Sequence, residues 1–218
     1  MKIPVLFTTY NRLEYTKQAL PALLESDCTE VLAFDNGSTD GTMEYLRDMQ
    51  EKHPKKLRLF FNYKKNGIPG AMNYFFKKYK NSEWLAKVDN DTVVPQNWCH
   101  EMINVMKSHH LDIVQAKHHI IPAVCAGGWS EFVKQMPKLR DGLYENAFVG
   151  GSGVMIHWGF IKNFMEELKS DWLLGGWNDW QIKHSCFHKA FYEGVEVKLL
   201  DAHGYEDYPE YYKETGRL

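Results

Sequence analysis

The chain offers no cysteine pattern: Cys28, Cys99, Cys125 and Cys186 lie far apart, with no CxxC spacing and no histidine at a zinc-ligand interval. This excludes a disulfide scaffold or zinc ribbon and reads as free thiols in a reducing compartment. No apolar run nears the ~20 residues of a membrane span. The apolar stretch of residues 1–7 is interrupted by Pro4 and is too short for a signal peptide, so a cytoplasmic location is expected. Charge of either sign is not in excess: 26 basic against 28 acidic residues leave -2, with no global pull towards nucleic acid or anionic lipid. An anionic ligand must therefore be held locally. The Lys64-Lys65 and Lys77-Lys78 pairs are too slight to support a nucleic-acid acceptor. Glycine and proline are no commoner than average, which excludes collagen-like and low-complexity classes, and 14% aromatic residues exclude disorder. With 218 residues, 44% of them hydrophobic, the chain reads as one folded domain.

What the sequence does have is alternation. Residues 3–8 read as a buried strand and 12–24 as a helix with Ala19, Leu20, Leu23 and Leu24 on one side. Residues 30–35 form a second strand, followed by a turn at 36–41 and a helix containing Met43, Leu46 and Met49, with Ser38, Thr39 and Asp40 as candidate N-caps. A third strand spans 57–62, a glycine-containing turn 66–71, a helix 72–80 and a fourth strand 83–89. This rhythm implies an α/β fold with a doubly wound, mostly parallel sheet. Beyond residue 91 it loosens, with a helix at 97–107, a strand at 112–117, an irregular stretch at 122–143, a strand at 150–157, helices at 158–169 and 177–194, and a last strand at 195–200.

Doubly wound sheets bind ligands at the carboxyl ends of their strands. Here that rim consists of residues 8–12, 35–40, 62–67 and 89–91, polar and acid-bearing. Its sharpest feature is Lys87-Val88-Asp89-Asn90-Asp91. With twelve aspartates in the chain, a DxD pair arises by chance about as often as not, so its place after an apolar strand is what singles it out. There, two carboxylates can turn to one point and hold a hard divalent cation, or form a solvated turn before the next helix. Asp35 is either an Asx-turn residue or an acceptor for a base ring N–H.

Four segments in this order, Thr8-Thr9-Tyr10-Asn11-Arg12, Asp35 to Thr42, Gly67 with Ala71 and Asn73, and Asp89-Asn90-Asp91, resemble a family 2 glycosyltransferase with the GT-A fold. The resemblance covers residues 1–100 well and the remainder more loosely. It implies a nucleotide-diphosphate-sugar donor, with uridine as the expected base. Base and ribose would be held by Thr8, Tyr10, Asn11, Arg12 and Asp35, and Asn36, Gly67, Asn73 and Asn90 would complete the donor site. It also implies Mn²⁺ or Mg²⁺ as cofactor, ligated directly by Asp91, with Asp89 towards the ribose and a metal-bound water; the cation neutralises charge on the leaving diphosphate. Lys87, one strand alternation before Asp89, either reaches a phosphate or is an ordinary exposed lysine.

Family members are expected to invert the anomeric centre by direct displacement, with a carboxylate base for the acceptor hydroxyl. The matching place is Trp177-Asn178-Asp179-Trp180, read as the first turn of a helix with Trp177, Trp180, Phe187 and Phe191 on its apolar side. Asp179 is the base candidate; Asn178 stands where the family often has an acid. Trp177 and Asn178 are acceptor-side candidates, although core packing explains a tryptophan more often than sugar contact. Gly151, in Gly150-Gly151-Ser152-Gly153, either lets a sugar approach the backbone or makes a tight turn. His203 after the last strand is a candidate third metal ligand or one of many ordinary histidines; the pairs at 109–110 and 118–119 are read as solvated or packing residues.

The whole is expected to be one domain of 1–218, with the donor half at 1–118 and the acceptor half at 119–218. The Gln-x-x-Arg-Trp pattern of processive members is not matched by Trp180-Gln181-Ile182-Lys183-His184. The expected function is metal-dependent transfer of one sugar to an acceptor hydroxyl of unspecified class. A nucleotidyltransferase is the enzymatic alternative, disfavoured because residues 8–12 contain no glycine. A non-catalytic glycan-binding module of the same fold is the other.

Overall fold

The computed structural model describes all residues except 64–66, 120–127, 135, 141, 166, 167, 169–174, 202–207 and 215–218. In chain order the described elements are β1 (Pro4–Thr9), α1 (Leu13–Glu25), β2 (Glu30–Asp35), α2 (Thr42–Lys52), β3 (Leu57–Phe61), α3 (Gly67–Lys78), β4 (Leu85–Asp89), β5 (Thr92–Val93) and α4 (Trp98–His109). Then follow β6 (Ile113–His118), α5 (Gly128–Val133), β7 (Lys138–Arg140), β8 (Leu143–Glu145), β9 (Val154–Ile156), α6 (Trp158–Ile161) with a 3₁₀ turn, α7 (Gly175–Lys183), β10 (Lys189–Leu199) and α8 (Pro209–Glu214).

The sheet runs β3-β2-β1-β4-β9-β6-β10-β8-β7, and β5 pairs with β10. The first four are parallel. β9 lies antiparallel between β4 and β6, and β10 returns parallel to β6. Successive residues of a strand face opposite sides, and the core divides accordingly. Val5, Phe7, Val31 and Ala33 pack with Leu20, Leu23, Leu46, Trp98 and Met102 of α1, α2 and α4. Leu6, Leu32 and Phe34 pack with Met72, Phe75, Trp158, Trp177 and Trp180 of α3, α6 and α7. The mostly parallel sheet thus has helices on both faces, as expected.

Several boundaries differ from the sequence reading. α3 begins at Gly67, so most of the expected glycine turn is the first turn of that helix. The cap of α2 is Gly41 at φ 92. Asp40, one residue earlier, instead accepts the N–H of Thr42 at 3.1 Å and that of Leu13 at 2.9 Å, serving the starts of α2 and α1 together. The strand expected at 150–157 is ordered as β only at Val154–Ile156, and α6 is one turn long.

The largest departure is at 177–194. The helix stops at Lys183, Phe187 lies in a turn, and Phe191 belongs to β10. Lys189 accounts for the break: its buried ammonium donates to the carbonyls of His184 and Phe187, satisfying acceptors just past the helix end. β10 then bends between Tyr192 and Glu196, where a Cβ on Gly194 would come within 2.2 Å of the Tyr192 ring.

Candidate active site

The carboxyl ends of β1, β2 and β4 meet in a cavity of about 80 Å³ lined by Thr8, Thr9, Tyr10, Arg12, Asn36, Gly67, Ile68, Asp89, Asn90, Asp91 and Tyr211. Its geometry begins at the turn after β1. Asn11 and Arg12 both have left-handed backbone, φ 51 and φ 62, and so reverse the chain from strand to helix within two residues. Side-chain bonds hold that turn: Asn11 N donates to Ser38 Oγ at 2.7 Å, Asn11 Oδ1 accepts from Thr39 N at 2.9 Å, and Asn90 Nδ2 donates to the Asn11 carbonyl at 2.9 Å.

Arg12 is aimed across the cavity and is nearly fully buried. Its Nη1 lies 3.0 Å from Asp91 Oδ2 and 3.2 Å from Asp201 Oδ2, and Nη2 donates to Asn90 Oδ1 at 2.7 Å. The Tyr211 ring of α8 covers the guanidinium at 4.1 Å. Tyr10 OH donates to Glu214 Oε2 of the same helix at 2.7 Å; burial, and then this bond, push its phenol well above the ordinary value. Neither Asp201 nor Tyr211 was indicated by the sequence reading. Asp201 carried a faint signal, an acid just after the last strand; Tyr211 carried none.

Asp89 and Asp91 both face the cavity. Asp89 Oδ1 accepts from Thr8 Oγ1 and from Lys87 Nζ, the latter at 2.5 Å. Lys87 is buried and also donates to the Gly151 carbonyl. It is therefore an internal cation for Asp89, which corrects the reading of it as an exposed lysine. Ser152 accepts from Asp89 N at 2.9 Å and donates to Thr92 Oγ1 at 2.8 Å. Gly151 is thus held beside the acidic pair.

Asp35 has the Asx-turn arrangement. Oδ1 accepts from Gly37 N at 2.9 Å and Ser38 N at 2.8 Å, while Oδ2 accepts from Thr9 Oγ1 at 2.8 Å and Ser38 Oγ at 2.5 Å. Four donors match a carboxylate's acceptor capacity, and the residue is fully buried. Asn36, beside it, lines the cavity. Asn73 is not among the lining residues: its amide bonds both N and O of Leu168 at 2.8 Å.

Trp177 is corrected from acceptor platform to core. It is 1% exposed and stacks on Trp180 at 5.3 Å, so neither indole face is open to a sugar. Asn178 and Asp179 are exposed on α7. His203 lies outside the described residues. His118, expected to be a solvated or packing residue, is half-buried with Nε2 at 3.1 Å from the Ser152 carbonyl; desolvation lowers its pKa.

The donor set suits a hard divalent cation. Asp89 and Asp91 bear carboxylate oxygens, the ligand type such a cation takes, and Arg12 already seats a positive group against Asp91 Oδ2. Among the described residues no group of three or more histidine, cysteine, aspartate or glutamate side chains could hold a metal.

The strand order, the two helical layers and the acidic end of β4 are those of the GT-A fold. Solved GT-A glycosyltransferases superpose accordingly. Staphylococcus aureus TarS in complex with UDP gives a TM-score of 0.65 at 19% identity, over 94% of this chain and 63% of that one. GalNAc-T7 with UDP, GalNAc and Mn²⁺ gives 0.72 at 13% identity over 91% and 44%. The mannosyltransferase PcManGT from Pyrobaculum calidifontis, with GDP-Man and Mn²⁺, gives 0.68 at 16% identity over 90% and 56%.

Residues 5–164 match Glycosyl transferase family 2, and the chain belongs to that family. An uncharacterized glycosyltransferase of Mycoplasma pneumoniae is 31% identical over 120 residues, 52% of this chain and 40% of its own length. One of Nostoc sp. is 29% identical over 153 residues, 66% of this chain and 44% of its own. The chain thus spans less than half the length of these relatives. No described helix is long and apolar enough to cross a membrane.

Proposed function

We propose that this chain is a single glycosyltransferase domain that moves one sugar, with inversion, from a nucleotide-diphosphate donor to an acceptor hydroxyl, using Mn²⁺ or Mg²⁺. The observation that carries the reading is the convergence of Asp89 and Asp91 with Thr8, Tyr10, Arg12 and Asn36 on one cavity at the carboxyl end of the parallel sheet. UDP is the preferred nucleotide, because the TarS and GalNAc-T7 structures were solved with it. Tyr211, which covers the Arg12 guanidinium at 4.1 Å, lines the same cavity.

In the transfer, the acceptor oxygen forms a bond to the anomeric carbon as the bond from that carbon to the diphosphate oxygen breaks. Asp179 accepts the acceptor's proton. Arg12, released from Asp91, is placed to meet phosphate oxygen, and Lys87 and Thr8 hold Asp89 turned inward. The metal, when bound to Asp91 and Asp89, supplies Lewis-acid stabilisation of the leaving diphosphate. The acceptor class stays open between glycan, lipid-linked sugar, protein side chain and nucleic-acid base.

The test is thermal stability against UDP, GDP, CMP and dTDP, each with and without Mn²⁺, beside Asp91→Asn. Ligand at 100 times its dissociation constant adds about 2.7 kcal/mol. A gain with one diphosphate that needs both Mn²⁺ and Asp91 supports the proposal. No gain with any nucleotide would favour a binding module of the same fold.

A further inference from the structure

We infer that Gln181 is a positioning residue for the transfer step: it fixes the helix bearing Asp179 to the 149–152 segment, and through it to Asp89. The inference rests on the proposed role of Asp179 as base. On α7, Trp177, Trp180 and Gln181 are buried, while Asn178, Asp179 and Ile182 are exposed. Residues two apart on a helix face away from each other, so Gln181 anchors the side opposite Asp179.

The anchor is specific. Gln181 is 1% exposed, its Oε1 accepts from Val149 N at 3.0 Å, and its Nε2 donates to the Val149 carbonyl at 3.1 Å. One side-chain amide thus does for Val149 what a neighbouring strand would do. The next residues are held equally closely. Gly150 N donates to Gln115 Oε1 at 2.5 Å, where a Cβ on Gly150 would come within 3.0 Å of the amide. Gly151 O accepts from Lys87, the partner of Asp89, and Ser152 Oγ accepts from Asp89 N. Asp89 and the helix bearing Asp179 are therefore joined through three residues of backbone and one lysine.

Packing alone would not give this register. The other buried residues of that face are indoles stacked at 5.3 Å with 6° between their planes, and apolar contact is non-directional. The two hydrogen bonds are directional. Reacting groups tolerate little misplacement, about 1 Å costing about a hundredfold in rate.

The experiment compares the full chain with Gln181→Leu and Gln181→Glu, by calorimetry with UDP and Mn²⁺ and by UDP release from UDP-GlcNAc. UDP affinity and donor KM are expected to stay within about twofold, while kcat falls about tenfold or more in Gln181→Leu. Gln181→Glu keeps the acceptor for Val149 N–H. Its buried carboxyl, protonated as pH falls, regains the donor, so its kcat relative to wild type rises from pH 8 to pH 6. Unchanged kcat, loss of UDP affinity in step with kcat, or no recovery at low pH would overturn the inference.

A wild-type chain that binds no nucleotide or releases no UDP would instead count against the proposed function. Amide exchange then decides the anchoring by itself. Faster exchange in Gln181→Leu confined to 175–183 and Val149 upholds it, and unaltered protection there overturns it.

Discussion

Arg12 Nη1 lies 3.0 Å from Asp91 Oδ2, so the carboxylate proposed to ligate the divalent cation is already paired with a cation of the protein itself. The same guanidinium holds Asp201 at 3.2 Å. The Arg12–Asp91 pair is buried and Asp201 half-buried, and removing one partner of a buried pair costs about 3–5 kcal/mol. Arg12→Met leaves two neighbouring carboxylates without their shared counter-charge. Its thermal stability is expected to fall by an amount of that order in the absence of metal, and Mn²⁺ is expected to restore more stability to the variant than it adds to wild type. Equal Mn²⁺ responses would show that Arg12 and the metal do not compete.

Asp35 organises the loop beside the cavity by accepting four hydrogen bonds. Asp35→Asn keeps the shape but offers only one acceptor oxygen, and its amide hydrogens point at donors. An unsatisfied buried group costs about 1–3 kcal/mol, and urea denaturation without ligand is expected to show a loss of about that size. A variant as stable as wild type, but with impaired nucleotide binding, would return Asp35 to the role of base acceptor.

His118 gives the molecule a sensitivity to mild acid. Burial lowers its pKa, against the opposing pull of the Ser152 carbonyl and the charges of Asp91 and Asp89. The unfolded chain, with a histidine pKa of about 6.5, then binds more protons than the folded one between the two values. Stability is therefore expected to fall as pH drops below about 6.5 and to level off below the folded pKa. Measured without metal, His118→Gln should flatten this slope, and an unaltered slope would assign it to other groups.

How far the sequence discloses this architecture depends on where each residue's partner lies. β1, β2 and β4 are legible because a buried parallel strand reads as an unbroken apolar run, and their polar ends mark the rim directly. At 177–194, by contrast, Trp177, Trp180, Phe187 and Phe191 fall at spacings compatible with a helix, although only the first two are in one. What separates them is Lys189 capping a helix end, a tertiary event without a periodic signal. The same holds for the amides. Asn73 bonds to Leu168, 95 residues away, and Gln181 to Val149, 32 away. Type and local spacing say nothing about such partners. Positions at a strand end could thus be read from sequence, whereas Trp177 was left between sugar contact and core because its stacking on Trp180 could not be seen.

Trp177 accordingly acts on stability. It is fully buried in the cluster that includes Trp158, Trp180 and Phe187, and truncating a buried tryptophan to alanine costs about 3–5 kcal/mol. Trp177→Ala is expected to show that loss in denaturation. Trp177→Phe, with a smaller volume change, should keep most of the stability and the UDP affinity. A normal fold with a raised acceptor KM in Trp177→Phe would revive the platform reading.

Asp179 is the sharpest test of the proposed chemistry because it is exposed on α7 and is not among the residues lining the cavity. Asp179→Asn removes the acceptor for the incoming hydroxyl's proton while preserving size and helix geometry, so stability and UDP affinity are expected to match wild type. General base catalysis contributes about 10²–10⁴-fold, and kcat for transfer is expected to fall within that range with donor KM unchanged. Because Gln181 anchors the same helix, the double variant Asp179→Asn with Gln181→Leu should be no slower than Asp179→Asn alone: once the base is gone, its placement has no further effect on rate. Additive losses would separate the two residues, and full turnover in Asp179→Asn would move the base to another carboxylate.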